Sequence, residues 1–204
     1  MTGRITIDLF TTLDGVAQAP GGPDEDPSGG FPWGGWQAPL PDPVIGRQIG
    51  DGIAAMDALV LGRRTYDIFA AYWPRHVDNP IGRRFADIPK YVASRGTPRL
   101  DWPGAQQLGP DAAASVAALR ERHDDIHVIG SIDFVQSLLA AEAYDELNLW
   151  VYPVVLGQGK KVFPDGAAPA NLRLLAPPIT GGTAVQLRYA PAGVPTTGEM
   201  GPEQ

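Results

Sequence analysis

The sequence predicts an α/β domain of three layers, α/β/α, with a mixed, mostly parallel central sheet. Short apolar segments alternate with segments of helical periodicity along most of the chain. Such alternation is typical of parallel strands joined by right-handed crossovers and covered by helices. Two longer strand-like segments, residues 147–156 and 183–189, follow one another near the end. They indicate antiparallel additions at one edge of the sheet.

Length indicates the number of domains, and charge limits the classes of binding partner. The 204 residues fit one domain over residues 1–190, followed by a flexible tail over residues 191–204 that has no apolar periodicity. Lysine and arginine number 16 against 23 aspartates and glutamates, so the net charge is −7. This negative balance argues against nucleic acid and anionic membranes as partners.

Cysteine is absent, which excludes disulfides, thiolate nucleophiles and zinc–thiolate sites. No segment approaches the roughly 18 apolar residues of a transmembrane helix, and the N-terminus has no signal-peptide pattern. We therefore expect a soluble, cytoplasmic protein. His123 and His127 straddle a predicted helix end and strand start, and His76 is remote, so no metal site is predicted.

The chain opens with a strand over residues 4–10, in which apolar and polar residues alternate. A long segment over residues 11–43 follows, rich in glycine, proline and acidic residues, yet it carries Phe31, Trp33 and Trp36. Long loops inside compact domains are usually functional or disordered. The aromatic residues favour a functional loop.

A helix follows this loop, because Asp42 and Pro43 are typical of a helix start. The apolar residues at helical spacing are Ile45, Ile49, Ile53 and Met56. Residues 58–61 then form a short apolar strand that ends at Gly62, and residues 64–71 predict a second helix. This succession is strand, turn and helix.

Two further strands are predicted over residues 90–93 and 126–129. Asp111 is a capping residue for an alanine-rich helix, and Ser131 is one for the helix after the second of these strands. The inward-facing residues of that last helix are Ile132, Val135, Leu138 and Leu139. The pattern supports helices on a parallel sheet.

The first candidate site is the strand-to-helix junction formed by Gly62, Arg63, Arg64 and Thr65. A helix N-terminus offers free backbone N–H groups and a partial positive charge, which favour anions. Glycine allows close approach, threonine adds a donor and the arginines add charge. Alternatively, this segment is a glycine turn with solvated arginines.

Two more junctions offer the same chemistry. Gly130, Ser131 and Ile132 follow the strand over residues 126–129, and Ser94 and Arg95 follow the strand over residues 90–93. Ligands of open α/β sheets collect outside the carboxyl ends of the strands. Together the junctions predict a site for a ligand with several phosphates, although Ser131 is also expected to cap its helix.

Asp14 and Gly15 follow the first strand, where they are either a turn or a site for a polar substrate or cofactor amide. Several aromatic residues are candidates for stacking on a flat heterocycle, or else for the core. They are Trp33, Trp36, Phe69, Tyr72 and Trp73. We expect Phe69 in the core.

Four segments carry a family resemblance. They are residues 5–15 (ITIDLFTTLDG), 59–73 (LVLGRRTYDIFAAYW), 90–95 (KYVASR) and 127–163, which includes HVIGS and VVLGQG. Through them the chain resembles the dihydrofolate reductase-like superfamily. It is most similar to stand-alone proteins that resemble the C-terminal reductase domain of the bifunctional riboflavin-biosynthesis deaminase-reductase.

The resemblance implies a dihydrofolate reductase-like fold that binds NADPH at the carboxyl ends of its strands. The residues implied for the cofactor phosphates are Gly62, Arg63, Thr65, Gly130, Ser131 and Ile132. Arg64 is counted with them as a cofactor-binding residue because of the charge it adds at the first junction. Ser94 and Arg95 would meet the adenosine 2′-phosphate. Asp14, Gly15 and Ala17 would lie near the nicotinamide, and the loop with Trp33 and Trp36 would border the substrate pocket. Asp14 is the candidate catalytic residue.

One departure concerns the acid of dihydrofolate reductases. In those enzymes a carboxylate on the helix before the Gly-Arg-x-Thr strand assists protonation, whereas the comparable turn here has Gly46 and Arg47. We expect an NADPH-dependent oxidoreductase that transfers hydride to a small heterocyclic carbonyl or imine. It would be similar to the riboflavin-pathway reductase, with at most weak dihydrofolate reductase activity. The alternative is a non-catalytic dinucleotide- or heterocycle-binding protein. The resemblance also implies a homodimer.

Overall fold

The computed structural model describes residues 3–199 and 201, which contain a nine-stranded sheet and five α-helices. The strands are β1 Arg4–Thr12, β2 Ala58–Gly62, β3 Lys90–Ala93, β4 Ala105–Gln107, β5 Asp125–Val128, β6 Glu146–Tyr152, β7 Leu172–Leu174, β8 Ile179–Thr180 and β9 Val185–Pro191. The helices are α1 Pro43–Ala55, α2 Arg63–Tyr72, α3 Pro80–Asp87, α4 Ala112–Ala118 and α5 Ile132–Ala140. In this part of the chain, none of the helices is long and apolar enough to span a membrane.

The strands lie in the order β4-β3-β2-β5-β1-β6-β9-β7, and β8 pairs with β9. All pairs from β4 to β6 are parallel. Strand β9 runs antiparallel to β6, and β7 and β8 run antiparallel to β9. The predicted mixed, mostly parallel sheet with late antiparallel additions is therefore confirmed.

Helices cover both faces of this sheet. Ile5, Ile7 and Leu9 of β1 are buried in a cluster with apolar residues of α4 and α5. On the other face, Leu59 and Leu61 of β2 pack in a cluster with residues of α1, α2 and α3. The alternation of strand residues between the two clusters explains the three layers and confirms the predicted fold class.

Some elements differ from the prediction. Strand β6 ends at Tyr152 rather than at residue 156, because Pro153 has no N–H for the ladder. Helix α3 was not predicted, although Asn79 caps it and Pro80 occupies its first turn. These are the same signals that predicted α1.

The predicted tail begins at the end of β9, which extends to Pro191. Residues 192–199 and 201 lie in no helix or strand. Residues 200 and 202–204 of the predicted tail lie outside the described residues. The division into a domain of residues 1–190 and a flexible tail stays a prediction.

The register of the parallel strands positions the candidate site. Gly62 of β2 pairs with Ala93 of β3, and Val60 of β2 pairs with Val128 of β5. The carboxyl ends of β3, β2 and β5 therefore lie side by side. We call this the carboxyl edge, and it carries the three predicted junctions.

Candidate functional site

Two glycine junctions are in direct contact at the carboxyl edge. The N–H of Gly62 donates to the carbonyl of Gly130 at 2.9 Å. A Cβ on Gly62 would lie 2.2 Å from Ser131 Oγ and 2.7 Å from its backbone nitrogen, so only glycine fits there. Gly130 has φ +78°, and a Cβ there would approach Thr65 Oγ1 to 2.9 Å. The peptide bond between Gly130 and Ser131 is cis.

Both helices that start at these junctions lack a side-chain cap. Gly62 has no side chain to offer α2, and Ser131 makes no capping hydrogen bond to α5. The prediction that the Ser131 hydroxyl caps its helix is wrong, because that hydroxyl is turned towards the space beside Gly62. The first N–H groups of α2 and α5 have no side-chain acceptor there and fit an anion, although Asp133 adds an acidic group to the first turn of α5.

The two arginines of α2 point in different directions. Arg63 Nε lies 2.8 Å from both carboxylate oxygens of Asp67, one turn along the helix, and both side chains are exposed. Arg64 Nη1 donates to Asp26 at 3.1 Å and to Ser28 Oγ at 3.3 Å. Arg63 therefore lies along α2, whereas Arg64 connects α2 to the long loop.

The third junction lies on the other side of β2. Ser94 and Arg95 follow β3, with Ser94 half-buried and Arg95 exposed. Ser94 Oγ accepts the N–H of Gly96 at 3.2 Å. From β3 across β2 to β5, the three junctions span roughly 10 Å. Ile132, by contrast, is a core residue at 8% exposure, which leaves only its backbone at the edge.

Asp14 joins the end of β1 to the turn after β6. Its carboxylate accepts hydrogen bonds from Thr12 Oγ1 at 2.6 Å, from the N–H of Gly157 at 2.8 Å and from that of Leu156 at 3.2 Å. The hydrogen bond from Thr12 and those from the backbone lower the pKa of Asp14. A lowered pKa opposes proton donation near neutral pH. Its catalytic role stays a prediction.

The turn after β6 also holds the long loop. The N–H of Ala17 donates to the carbonyl of Lys160 at 2.9 Å, and Ala17 is buried. Gln18 Oε1 accepts the N–H of Lys160 at 2.9 Å, while its Nε2 donates to the carbonyls of Asp26 and Ser28. Lys160 Nζ donates to Asp26 at 2.8 Å. Sequence reasoning missed these contacts, since no spacing links the residues.

A cleft of about 260 Å³ lies between this loop and the turn. It is lined by Gln18, Ser28, Gly29, Phe31 and residues 158–160. Trp36 does not line the cleft but is buried behind it, with its Nε1 donating to the carbonyl of Gln18 at 2.9 Å and its ring against Tyr152. Trp33 is 51% exposed. The structure therefore exposes Trp33 and buries Trp36, and their role in a substrate pocket stays a prediction.

Helix α1 presents no carboxylate to the sheet. Ile45 is fully buried against it, Gly52 lies over His127, and Gly46 and Arg47 are exposed. Asp42 is the N-cap of α1, where hydrogen bonds from backbone N–H groups, first that of Thr183, lower its pKa to about 2. Phe69 of α2 is partly buried and packs against the core cluster of Leu59 and Leu61, in line with the expected core position.

Beneath α1, four strands contribute a buried polar row: His127, Asp8, Asn148 and Gln186. His127 Nδ1 lies 2.5 Å from Asp8, Asn148 Nδ2 donates to Asp8 at 2.8 Å, and Gln186 Nε2 donates to Asn148 at 3.0 Å. Burial lowers the pKa of His127, but the negative charges of Asp8 and Asp125 outweigh it and raise the pKa to about 10. Within residues 3–199 and 201, no group of histidine and acidic residues is arranged to hold a metal ion.

Comparison with known proteins identifies the family. The model of the RibD C-terminal domain matches residues 4–177. The chain belongs to the RibD C-terminal domain family. Among similar proteins, the uncharacterized protein YyaP of Bacillus subtilis (strain 168) is 27% identical over 191 residues, which cover 91% of this chain and 94% of that protein.

Solved structures share the fold. A putative riboflavin biosynthesis protein from Shewanella sp. PV-4 superposes with a TM-score of 0.70 at 18% identity, over 94% of this chain and 99% of that one. Dihydrofolate reductase from Enterococcus faecalis, complexed with NADP(H), superposes with a TM-score of 0.55 at 15% identity, over 94% and 98%. The dihydrofolate reductase-like fold of this RibD C-terminal domain is thus confirmed.

Proposed function

We propose that this RibD C-terminal domain is an NADPH-dependent reductase that transfers hydride to a small heterocyclic carbonyl or imine. The observation that carries the proposal is the contact between the junctions at Gly62 and Gly130, where two helices begin without side-chain caps. Two adjacent helix N-termini with free N–H groups fit two linked phosphates. The family and its dihydrofolate reductase-like fold support the same ligand.

Each junction has a part in binding. The backbone N–H groups of residues 62–65 and 130–132 would hold the phosphates, and Thr65 would add a hydroxyl donor. Arg95 with Ser94 would bind the 2′-phosphate that distinguishes NADPH from NADH, through charge-assisted hydrogen bonds. Arg63 can join them, because its exposed ion pair with Asp67 is worth at most about 1 kcal/mol. Bound NADPH would supply the hydride.

The substrate would enter the cleft of about 260 Å³ beside residues 158–160. Ala17 is hydrogen-bonded to Lys160, so the predicted nicotinamide position and the cleft lie next to each other. Asp14 fixes this arrangement by holding the turn after β6 against the end of β1. Phe31 lines the cleft and would exclude water from the reacting atoms.

A second candidate function is binding of a dinucleotide or heterocycle without turnover. It is favoured by the state of Asp14, whose carboxylate is held by three donors and has a lowered pKa. Such a group is a poor proton donor near neutral pH. Oxidation of bound NADPH in a single turnover with candidate heterocycles would establish the reductase, and its absence with every binding heterocycle would favour the second function.

The proposal is tested by titrating the protein with NADPH and NADH, using quenching of its five tryptophans and energy transfer to the nicotinamide. We expect tight binding that favours NADPH. In the double variant Arg63→Ala, Arg95→Ala we expect that preference to fall about ten- to a hundredfold, the loss of one or two charge-assisted hydrogen bonds.

The matched control is Arg47→Ala, Arg173→Ala, which removes two exposed arginines from α1 and β7. It should keep the preference for NADPH. An unchanged NADPH-to-NADH ratio in the first double variant would remove Arg63 and Arg95 from the site. Failure of both nucleotides to bind the unaltered protein would remove the proposed function.

The predicted homodimer and the predicted cytoplasmic location are retained as proposals. A homodimer through the C-terminal strands is compatible with β7, which is an edge strand that ends at the exposed Leu174 and is followed by the exposed Leu175. Light scattering at micromolar concentration tests it, and a monomer would refute it. The cytoplasmic location stays a prediction from the sequence.

A further inference from the structure

Asp26 of the long loop connects two cations from separate elements. Its Oδ2 lies 3.1 Å from Arg64 Nη1 at the start of α2 and 2.8 Å from Lys160 Nζ in the turn after β6. The Asp26 side chain is only 12% exposed, whereas that of Arg64 is 49% exposed. One carboxylate oxygen therefore occupies the point on which both cations converge.

That point has the properties of an anion site. A guanidinium and an ammonium approach it from two sides, and Ser28 adds its hydroxyl beside Arg64 and its N–H to Asp26 at 3.2 Å. Carboxylate and phosphate oxygens accept the same charge-assisted hydrogen bonds, and phosphate carries the larger charge. The site also adjoins the free N-terminus of α2, because Arg64 is in its first turn.

We propose that Arg64 and Lys160 form an anion site that Asp26 fills while the loop is closed, and that a phosphate group of the bound dinucleotide takes over. This inference rests on the proposed function. Asp26 is then an internal competitor of the cofactor. Because the two anions use the same donors, they exclude each other.

The exchange couples cofactor binding to the cleft. Ser28 and Phe31 line the cleft and follow Asp26 closely in the loop, so release of the Asp26 side chain loosens one wall. Gln18 still holds the carbonyls of Asp26 and Ser28, which keeps the segment tethered. The cleft of about 260 Å³ is at the small end of the roughly 300–1,000 Å³ of typical ligand sites. Cofactor binding would therefore enlarge it for the substrate.

The test is the variant Asp26→Asn, which keeps the size of the side chain and removes its charge. Its matched control is Asp24→Asn, an exposed carboxylate two residues earlier in the same loop. We expect Asp26→Asn to bind NADPH about three- to tenfold more tightly than the unaltered protein, the gain from removing a modest ion-pair competitor. Asp24→Asn should bind as the unaltered protein does.

The direction of the change separates competition from structural support. If Asp26 only ordered the loop, its loss would leave NADPH binding unchanged or weaken it. Hydrogen exchange of the backbone N–H groups of residues 28–31 gives a second readout: NADPH should accelerate exchange there in the unaltered protein, and Asp26→Asn should exchange fast without NADPH. Urea unfolding of each variant confirms that it is folded.

Unchanged or weaker NADPH binding by Asp26→Asn would overturn the inference and leave the proposed function intact. Slower exchange of residues 28–31 with NADPH would also overturn it. Absence of NADPH binding in the unaltered protein, Asp24→Asn and Asp26→Asn alike would overturn both. The two failures are therefore distinguishable.

Discussion

The helices of this protein begin in two different ways. Asp42, Asn79 and Asp111 cap α1, α3 and α4 by accepting backbone N–H groups of the first turn. Helices α2 and α5 begin at Gly62 and Ser131 without a side-chain cap. Of the five α-helices in the described residues, α2 and α5 are thus the two whose N-terminal N–H groups have no side-chain cap. Both of these helices start at the carboxyl edge, where an open α/β sheet binds its ligands.

The buried polar row of the sheet also contrasts with the uncapped helix starts, because its side chains bind one another. His127, Asp8, Asn148 and Gln186 bind one another beneath α1, in the interior of the domain. Buried polar groups paired in this way stabilise the fold, whereas backbone N–H groups at the uncapped helix starts are available to a ligand. Changes to the buried row should therefore affect stability, and changes at the uncapped helix starts should affect binding.

The largest effect is expected at the paired group Asp8. The variant Asp8→Asn leaves protonated His127 without its closest carboxylate in a buried site. Breaking a buried ion pair costs about 3–5 kcal/mol of the free energy of unfolding. Urea unfolding measures it, with Asp51→Asn on the exposed side of α1 as the control. If Asp8→Asn weakened NADPH binding while stability was unchanged, the division between the buried row and the uncapped helix starts would be wrong.

The pH dependence of stability is the next effect. The pKa of His127 rises from 6.5 to about 10 on folding. Its contribution to stability is complete below its unfolded pKa, and it declines as the pH rises from 6.5 towards 10, because the unfolded chain then binds fewer protons than the folded one. Urea unfolding from about pH 6 to about pH 10 should show this loss. In the variant His127→Gln, stability should depend less on pH over this range. An equally steep loss of stability in that variant would show that other groups cause the pH dependence.

Much of the fold could be predicted from the sequence, because periodicity reports which side chains face the core. Strand β1 alternates, α1 repeats every three to four residues, and both were predicted. Strand β4 covers only Ala105–Gln107 at an edge and has no fully buried residue, so its pattern carries no signal. Helix α3 was missed although its capping signals were present.

The site could be predicted in part. Gly62 and Gly130 follow apolar strands, and this local pattern placed two junctions at the same edge. Local patterns do not give side-chain directions, so the turn of Ser131 away from its helix was not foreseen. Nor do they reveal distant partners: Asp26 and Lys160 are 134 positions apart, and only the folded chain brings them together.

The smallest effects give the sharpest test, because they compare two helix starts directly. Asn79 caps α3, because its Oδ1 accepts the N–H of Ile81 at 2.8 Å, and Asn79→Ala removes this cap. The loss of a cap costs about 1 kcal/mol of the free energy of unfolding. Binding of NADPH should be unchanged, since α3 does not start at the carboxyl edge.

Ser131→Ala should leave stability nearly unchanged and weaken NADPH binding. Its hydroxyl makes no capping bond, so the free energy of unfolding should change by less than about 0.5 kcal/mol. A hydroxyl at the open start of α5 that donates to a phosphate is worth about 1 kcal/mol, so NADPH binding should weaken about fivefold. Equal losses of stability in Ser131→Ala and Asn79→Ala would show that Ser131 acts as an ordinary cap. The start of α5 would then be one more paired N-terminus, and the phosphate site would have to rely on α2 alone.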